Sequence, residues 1–258
     1  MILMVDDIRK VMPRIGARKL YYLLFDKLQL IKIGRDKFFD ILRANHLLIQ
    51  PKRSYHKTTN SHHRFRKHQN RILDLEINRP EQVWVSDITY IGNSKKQYYL
   101  SLITDAYSKK IMGYYLANNL HTQSSLEALK MALKLRRNKI FPLIHHSDRG
   151  IQYCAYEYQK ELNKNKILCS MTQNSDPYEN AVAERINGIL KQEFMIDKYN
   201  QDLDIMKCII KEAINTYNQH RPHCSNYMLT PDQMHLQSQV KMKTYKTKNS
   251  SELLLTTV

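Results

Sequence analysis

The feature that most constrains the fold is the order of apolar patterns between Val83 and Gln219. Three β-branched and aromatic runs separated by short turns are followed by helical stripes that alternate with short apolar runs. Short turns between the first three strands indicate an antiparallel meander. The predicted strands are Val83–Ile91, Tyr98–Thr104, Ile111–Leu116, Pro142–His146 and Ile167–Met171, and the predicted helices are Thr122–Arg137, Ala155–Asn163, Asp176–Met195 and Leu203–Gln219. This order predicts an α/β protein in which helices pack on a mixed sheet.

Two further helical stripes precede the sheet pattern, at Arg18–Leu30 and Arg35–Asn45, with Gly34 just before the second. Two short helices joined in this way are typical of a helix-turn-helix, whose second helix enters the major groove of DNA. A small helical bundle without that function fits the spacing equally well. Arg35 and Lys37 at the start of the second stripe favour DNA binding.

The positive charge of the chain is concentrated near its N-terminus. There are 41 Lys and Arg against 24 Asp and Glu, a net charge of +17, and residues 1–72 hold 17 of the bases but only 5 of the acids. The segment from Pro51 to Arg71 has seven Lys and Arg, four His and no acid. Basic arms with interleaved aromatic residues suit phosphate contact and base stacking, although a soluble linker is the plain alternative. The candidate DNA contacts there are Lys52, Arg53, Lys57, Arg64, Arg66 and Lys67.

Other patterns exclude the exported and membrane classes. No stretch reaches the ~18 apolar residues of a transmembrane helix, and the N-terminus lacks the basic start and long apolar core of a signal peptide. The four cysteines are scattered and form no paired metal or redox motif. We therefore expect a cytoplasmic protein that makes no membrane contact.

Three acids occupy positions that suggest a metal site. Asp87 lies inside a predicted strand, where Asp is disfavoured, and Asp148 follows another predicted strand beside Gly150. Glu184 lies two turns into the helix predicted to begin at Asp176, on a polar stripe with Asn180, Asn187 and Lys191. Three carboxylates meeting at the end of a sheet would favour Mg²⁺ or Mn²⁺ and phosphoryl transfer. Residue type alone favours three unrelated surface, capping or turn acids.

The residues around these acids resemble the transposases and retroviral integrases with a ribonuclease H-like DDE catalytic core. Trp84–Tyr90, His146–Tyr153 and Glu179–Arg185 resemble its three motifs in order, with 35 residues between Asp148 and Glu184. The chain most resembles the second-reading-frame (OrfB) transposases of the insertion-sequence-three family. Tyr217–His223 with Thr230–Pro231, and Arg14–Leu20, resemble that family's C-terminal pattern and the opening of its helix-turn-helix-like domain.

The resemblance implies a ribonuclease H-like mixed sheet flanked by helices, preceded by a small helical domain. The expected division is a helical, helix-turn-helix-like DNA-binding domain at 1–50, a basic linker or arm at 51–77, a catalytic core at 78–236 and a basic tail at 237–258. Asp87, Asp148 and Glu184 would be the catalytic residues and would bind two Mg²⁺ ions, with Mn²⁺ as a substitute. Lys191 matches a position associated with DNA contact, and its helical neighbour Asn187 is a second candidate.

The implied activity is DNA strand cleavage at the ends of an insertion sequence, followed by strand transfer into target DNA. The expected partners are element ends, target DNA, other copies of the chain in a synaptic multimer and a protein from an upstream reading frame, fused or separate. The expected location is the bacterial cytoplasm, with the nucleoid. The alternatives are a catalytically inactive or domesticated DNA-binding relative, and a ribonuclease or resolvase that shares the fold.

Gly188 lies in the predicted helix that carries Glu184, and its presence there has two interpretations. Gly188 inside a helix costs ~1 kcal/mol relative to Ala. It indicates either a close approach of DNA to the helix or an irregularity in the helix itself.

Overall fold

A computed structural model describes residues 1–50, 68–93, 96–173 and 180–237 of the chain. Five strands form one mixed sheet in the order β3-β2-β1-β4-β5. β1 and β2 are antiparallel, as are β2 and β3, whereas β4 runs parallel to both β1 and β5. The strands are β1 (Val83–Asn93), β2 (Lys96–Asp105), β3 (Ile111–Ala117), β4 (Leu143–Ser147) and β5 (Ile167–Met171). The predicted mixed sheet with an antiparallel meander is confirmed.

Helices cover both faces of this sheet. One face carries α5 (Thr122–Leu135), α6 (Ile151–Cys154) and α7 (Tyr156–Lys164), which bury Trp84 and Ile103 beneath them. The other face carries α8 (Ala181–Gln192) and α9 (Leu203–Gln219), which pack on Leu100 and Leu102. Leu102 and Ile103 are neighbours on β2 and point to opposite faces, as the pleat of a strand requires. The central strand β1 is therefore enclosed on both sides and offers a rigid position for functional residues.

Gly113 on β3 permits the closest helix–sheet approach. A methyl group built on it would lie 2.1 Å from the carbonyl oxygen of Ala128 in α5. Since no side chain can occupy that space, Gly113 sets the distance between α5 and the sheet.

The N-terminal helical unit (residues 1–50) contains α1 (Ile2–Val11), α2 (Ala17–Leu23), α3 (Phe25–Leu30) and α4 (Arg35–Ala44). The stripe predicted as one helix at Arg18–Leu30 is divided at Leu24, and α1 was not predicted. The buried residues of this unit belong to the same hydrophobic cluster as those of α8 and α9. Its contributors to that cluster are Val5, Met12, Ile15, Leu20, Leu24, Leu28, Phe38 and Leu42.

The described end of the predicted basic arm packs on the catalytic part of the chain. The backbone N–H of Arg71 donates to Ser170 Oγ at 2.9 Å, and Ile72, Leu75 and Ile77 contact a small cluster that includes Val83 and Val85. Residues 68–77 are thus part of the folded structure. The rest of the arm, with its six candidate DNA contacts, lies outside the described residues, as does the predicted tail from 238 onward.

The chain ends its described part with α10 (Pro231–Leu236), which the sequence analysis did not predict. Thr230 Oγ1 accepts from the backbone N–H of Gln233 at 3.2 Å, and Gln233 Oε1 accepts from the N–H of Thr230 at 2.9 Å. This reciprocal cap fixes the first turn of the helix. Among the described residues, no helix is both long and apolar enough to span a membrane.

Candidate active site

Two of the predicted acids lie side by side in the middle of the sheet. β1 and β4 are parallel neighbours, and Ser86 on β1 is the register partner of Ser147 on β4. Asp87 and Asp148 come directly after these partners in their own strands. The side chains of both acids are partly exposed, whereas the two serines that precede them are buried. The topology therefore places both carboxylates at one position of the sheet, open to solvent.

The segment after Asp148 is held by its own hydrogen bonds. Asp148 Oδ1 accepts from the backbone N–H of Gly150 at 3.0 Å, and a methyl group at Gly150 would lie 3.0 Å from that same oxygen. Arg149 Nε donates to the carbonyl oxygen of Thr172 at 2.6 Å. Gly150 thus allows the tight turn that connects the acid to α6.

The third acid comes from α8, which packs against β1. The described helix begins at Ala181 with Asn180 before it, and Glu184 lies in its first turn. The predicted start at Asp176–Glu179 lies outside the described residues. Glu184 is exposed.

The polar stripe of α8 faces the strand that carries Asp87. Asn180 Nδ2 donates to the carbonyl oxygen of Ser86 at 3.1 Å, and Asn187 Nδ2 donates to Asp87 Oδ2 at 2.7 Å. These two amides lie seven residues apart, on one face of the helix. They fix the rotation of α8 relative to β1 and so determine the side on which Glu184 lies.

The three acids interact electrostatically. Burial, followed by the charge of Asp148, raises the pKa of Asp87 to about 7, and the charge of Glu184 adds to this effect. Hydrogen bonds from the backbone N–H of Ile88 and from Asn187 oppose it. Burial also raises the pKa of Glu184. Asp87 and Asp148 therefore lie next to each other, and Glu184 lies within electrostatic range of Asp87. Their role as one catalytic set stays a prediction.

The arrangement fits a divalent cation by its chemistry. Within the described ranges, no three His, Cys, Asp or Glu side chains are already spaced as a finished metal site. The donors are nevertheless hard oxygens, which Mg²⁺ and Mn²⁺ prefer. Burial, and after it the charges of Asp148 and Glu184, raise the pKa of Asp87, and a bound cation would oppose these effects by favouring its ionised form. The buried Oδ1 atoms of Asn180 and Asn187 have no hydrogen-bond partner, so two oxygen acceptors at this site remain available.

The predicted DNA contacts on α8 have different surroundings. Lys191 is half-buried, and burial lowers the pKa of its amine, whereas the charges of Asp197 and Asp87 raise it. It therefore lies within electrostatic reach of the acids. Asn187 is only 5% exposed and is occupied by Asp87, so its position suits support of the acid better than contact with DNA.

The predicted contacts on α4 are on the surface. Arg35 and Lys37 are both exposed, and Arg35 forms an exposed ion pair with Asp36 at 3.0 Å. Exposed pairs of this kind contribute little stability. The role of both residues as DNA contacts therefore stays a prediction.

The active helix is regular at Gly188. α8 runs through this residue without a break, so the irregularity considered for it is absent. A methyl group at Gly188 would meet nothing within 4 Å. Open space thus lies on the helix surface one turn after Glu184.

A buried polar network beneath the acids was not predicted. His145 on β4 contacts Ser86 Oγ through Nε2 at 2.8 Å, and the same nitrogen contacts the Tyr158 hydroxyl at 2.8 Å. His146 points to the other face of the sheet, where its Nδ1 lies 2.9 Å from Ser170 Oγ. Both histidines are fully buried. Their alternation along a strand was readable from the sequence, but their partners were not.

The family comparisons agree with this architecture. Residues 77–177 match the family model described as integrase core domain, and residues 165–231 match a second model of the same description. The 31 kDa protein of insertion element IS600 from Shigella sonnei is 34% identical over 195 residues, which are 75% of this chain and 71% of that protein. Transposase InsF of insertion sequence IS3fB from Escherichia coli K12 is 31% identical over 166 residues, 64% of this chain and 57% of InsF.

A solved structure shares the fold. The simian T-cell lymphotropic virus intasome structure has a chain that matches with a TM-score of 0.53 at 20% identity, over 87% of this chain and 76% of that chain. This likeness supports the ribonuclease H-like sheet and leaves function to the sequence relatives. In the sequence comparison with InsF, the matched region of this chain spans little more than half the length of InsF. Together, the family models and the insertion-element relatives show that the chain belongs to the insertion-sequence transposases with an integrase core domain.

Proposed function

We propose that this chain is a DDE transposase that catalyses Mg²⁺-dependent cleavage of DNA strands at element ends and their transfer to target DNA. The observation that carries the proposal is the position of Asp87 and Asp148, each directly after the register partners Ser86 and Ser147 of two adjacent parallel strands, with the charge of Glu184 raising the pKa of Asp87. Neighbouring carboxylates that are partly exposed and whose pKa is raised suit a phosphoryl-transfer site better than a structural one.

The residues of the chain would each have a distinct task. Asp87, Asp148 and Glu184 would hold two Mg²⁺ ions, or Mn²⁺ in their place. When bound, such ions stabilise the attacking and leaving oxygens of an in-line displacement. Asn187 would hold Asp87 in its orientation, and Lys191 would offset negative charge on the DNA phosphate near the acids.

The DNA substrates would be the two ends of an insertion sequence and a target duplex. Water or a 3′-hydroxyl would cleave the end, and the freed 3′-hydroxyl would then attack the target. Two ends must be handled together, so we propose that several copies of the chain act in one complex, with help from a protein of an upstream reading frame. The site of action would be the nucleoid of a bacterial cell.

Substitution of the acids by their amides tests this proposal. Asp87→Asn, Asp148→Asn and Glu184→Gln should each abolish joining of labelled element ends to target DNA in Mg²⁺, while DNA binding stays within about twofold, because the DNA-binding surface is unchanged. Asp204→Asn is a matched control, since the side chain of Asp204 is 93% exposed and forms an ion pair with nearby Lys207. Full joining by any of the three amide variants would overturn the assignment of that acid.

A DNA-binding relative without catalysis is the second candidate. It is favoured by one observation, that no finished metal site exists among residues 1–50, 68–93, 96–173 and 180–237. Assays of DNA binding and of strand chemistry with the wild-type protein distinguish the two candidate functions. Binding of element ends without strand chemistry in either Mg²⁺ or Mn²⁺ would favour the second candidate.

A further inference from the structure

A buried ion cluster lies at the end of the active helix. Glu193 follows α8 directly, and its carboxylate accepts from Arg221 Nε at 2.7 Å, from Arg221 Nη2 at 2.8 Å and from Lys19 Nζ at 2.9 Å. The side chains of Arg221, Lys19 and Glu193 are 2%, 10% and 17% exposed. Lys19 and Glu193 are 174 residues apart in the sequence, so the cluster joins distant parts of the chain.

The three charged groups come from three separate parts of the chain. Lys19 belongs to α2 of the N-terminal helical unit, Glu193 ends the active helix, and Arg221 follows α9. We call the contact of Glu193 with Lys19 and Arg221 the joint. A backbone hydrogen bond adds to it, since the N–H of Arg14 donates to the carbonyl oxygen of Glu193 at 3.0 Å. One residue at the end of α8 therefore contacts both the N-terminal helical unit and the segment after α9.

Burial makes this joint sensitive to the loss of any partner. The two neighbouring cations lower the pKa of Glu193 to about 2 against the opposing effect of burial, so the carboxylate is charged at neutral pH. A buried charge that loses its partner is strongly destabilising, whereas a complete pair is tolerated. The surrounding apolar residues belong to the cluster that α1–α4 share with α8 and α9. The joint is thus specific in its pairing as well as apolar in its surroundings.

We infer that Glu193 is a positioning residue that fastens the N-terminal helical unit to the end of the active helix. DNA held by that unit would then lie at a fixed offset from Asp87, Asp148 and Glu184 of the same chain. This inference rests on the proposed function for its consequence, but the fastening itself can be measured without DNA.

The first experiment cuts the chain between the two parts. A site-specific protease sequence is inserted within residues 51–67 of the full chain, the protein is cut, and the pieces are passed through a sizing column. The wild-type pieces should elute together. Lys19→Glu should weaken their association by about tenfold or more, because it places a second carboxylate against Glu193 in a buried setting.

Matched variants separate this effect from a general loss of structure. Lys27→Glu makes the same charge change on the exposed surface of α3 and should leave the pieces together. Lys19→Arg keeps the charge and should preserve the association, and Lys19→Met should weaken it less than Lys19→Glu does. Wild-type pieces that separate, or Lys19→Glu pieces that stay together like the Lys27→Glu pieces, would overturn the inference.

The second experiment measures joining by the uncut chain. Lys19→Glu should lower kcat for joining of element ends at a temperature well below its unfolding transition, with KM for DNA within about twofold, because the binding surface is retained while its offset is lost. Lys19→Arg should recover kcat. An unchanged kcat in Lys19→Glu would overturn the positioning role, whereas absence of joining by wild type would count against the proposed function and leave the column result to decide the fastening.

Discussion

Asn187 Nδ2 donates a hydrogen bond of 2.7 Å to Asp87 Oδ2, which ties the active helix to the central strand across 100 residues of sequence. The bond favours the ionised form of Asp87 and opposes the burial and the neighbouring acids that raise its pKa. Asn187 therefore affects the charge of the site as well as its geometry.

We expect Asn187→Ala to lower the rate of strand joining about tenfold or more, as is usual for residues that orient a metal-binding carboxylate. The removed bond would leave Asp87 less ionised and less fixed, so more Mg²⁺ should be needed for half-maximal rate. The measurement is the joining rate as a function of Mg²⁺ concentration. Gln192→Ala, on the exposed side of the same helix, should behave like wild type, and an unchanged Mg²⁺ requirement in Asn187→Ala would contradict the expectation.

Gly188→Ala should stabilise the protein by ~1 kcal/mol, because Ala is the better helix former and the added methyl group meets nothing within 4 Å. Thermal unfolding should show a higher midpoint. The same methyl group fills space on the helix one turn after Glu184, so we expect strand joining to slow although the fold is more stable. A variant that is both more stable and fully active would show that DNA does not approach the helix at this residue.

Gly113→Ala should have the opposite effect on stability. Its methyl group would lie 2.1 Å from the carbonyl oxygen of Ala128 and 2.8 Å from the backbone nitrogen of Ala132. Backbone atoms cannot yield as a flexible side chain does, so α5 or β3 must shift, at a cost of about 1–3 kcal/mol or more. Urea unfolding measures the change, and a loss below about 0.5 kcal/mol would mean that α5 adjusts more easily than close packing allows.

The parts of the fold that were predicted well are those with a strong local period between clear boundaries. The predicted ends of β5 and α9 agree with the structure, because each apolar pattern stops at polar residues. α1 was missed although its stripe buries Val5. Its burial depends on contacts with distant elements, and those contacts leave no local pattern.

The same distinction applies to the candidate site. The three acids were predicted as a set from the resemblance of their surroundings to three ordered motifs, whereas local context, such as an Asp inside a strand, only drew attention to them. The contact of Glu193 with Lys19 and Arg221 could not be predicted from the sequence. The three residues come from three separate elements, and the local sequence around each one gives no indication of its partners. Asn187 was found for its place on the helical stripe, but only the structure gave it Asp87 as a partner.

Two buried histidines predict a loss of stability in mild acid. Burial lowers the pKa of His145 to about 3, and burial with the charge of Arg221 does the same for His223. The unfolded chain takes up a proton at each residue below about pH 6.5, whereas the folded chain resists until about pH 3. The unfolded state thus binds more protons in this window, so stability is present above pH 6.5 and falls as the pH drops.

Each of these two histidines should lower the free energy of unfolding by about 2 kcal/mol between pH 7 and pH 5. Two groups act in the opposite direction. Asp105 and Glu81 raise the pKa of His235, whose contribution is lost as the pH rises. Burial and the charge of Asp148 raise the pKa of Asp87 to about 7, so the folded state also takes up a proton at Asp87 between pH 7 and pH 5. Urea unfolding at both pH values measures the net change. His223→Asn should reduce the pH dependence by the share of one histidine, and an equal dependence in this variant would contradict the assignment.

The basic segment at 51–71 predicts a salt effect on DNA binding. If the six Lys and Arg at 51–67 contact phosphates, deletion of 51–67 should weaken binding to all DNA sequences by a similar factor, with residues 68–71 kept because the backbone of Arg71 is bonded to Ser170. The slope of log affinity against log salt should become shallower by about 0.9 for each lost phosphate contact, because fewer counterions are released. The measurement is the affinity for element-end DNA and for unrelated DNA over a range of salt concentrations. A shortened protein with the slope of the intact chain would make the segment a linker, and the N-terminal helical unit would then have to supply the contacts.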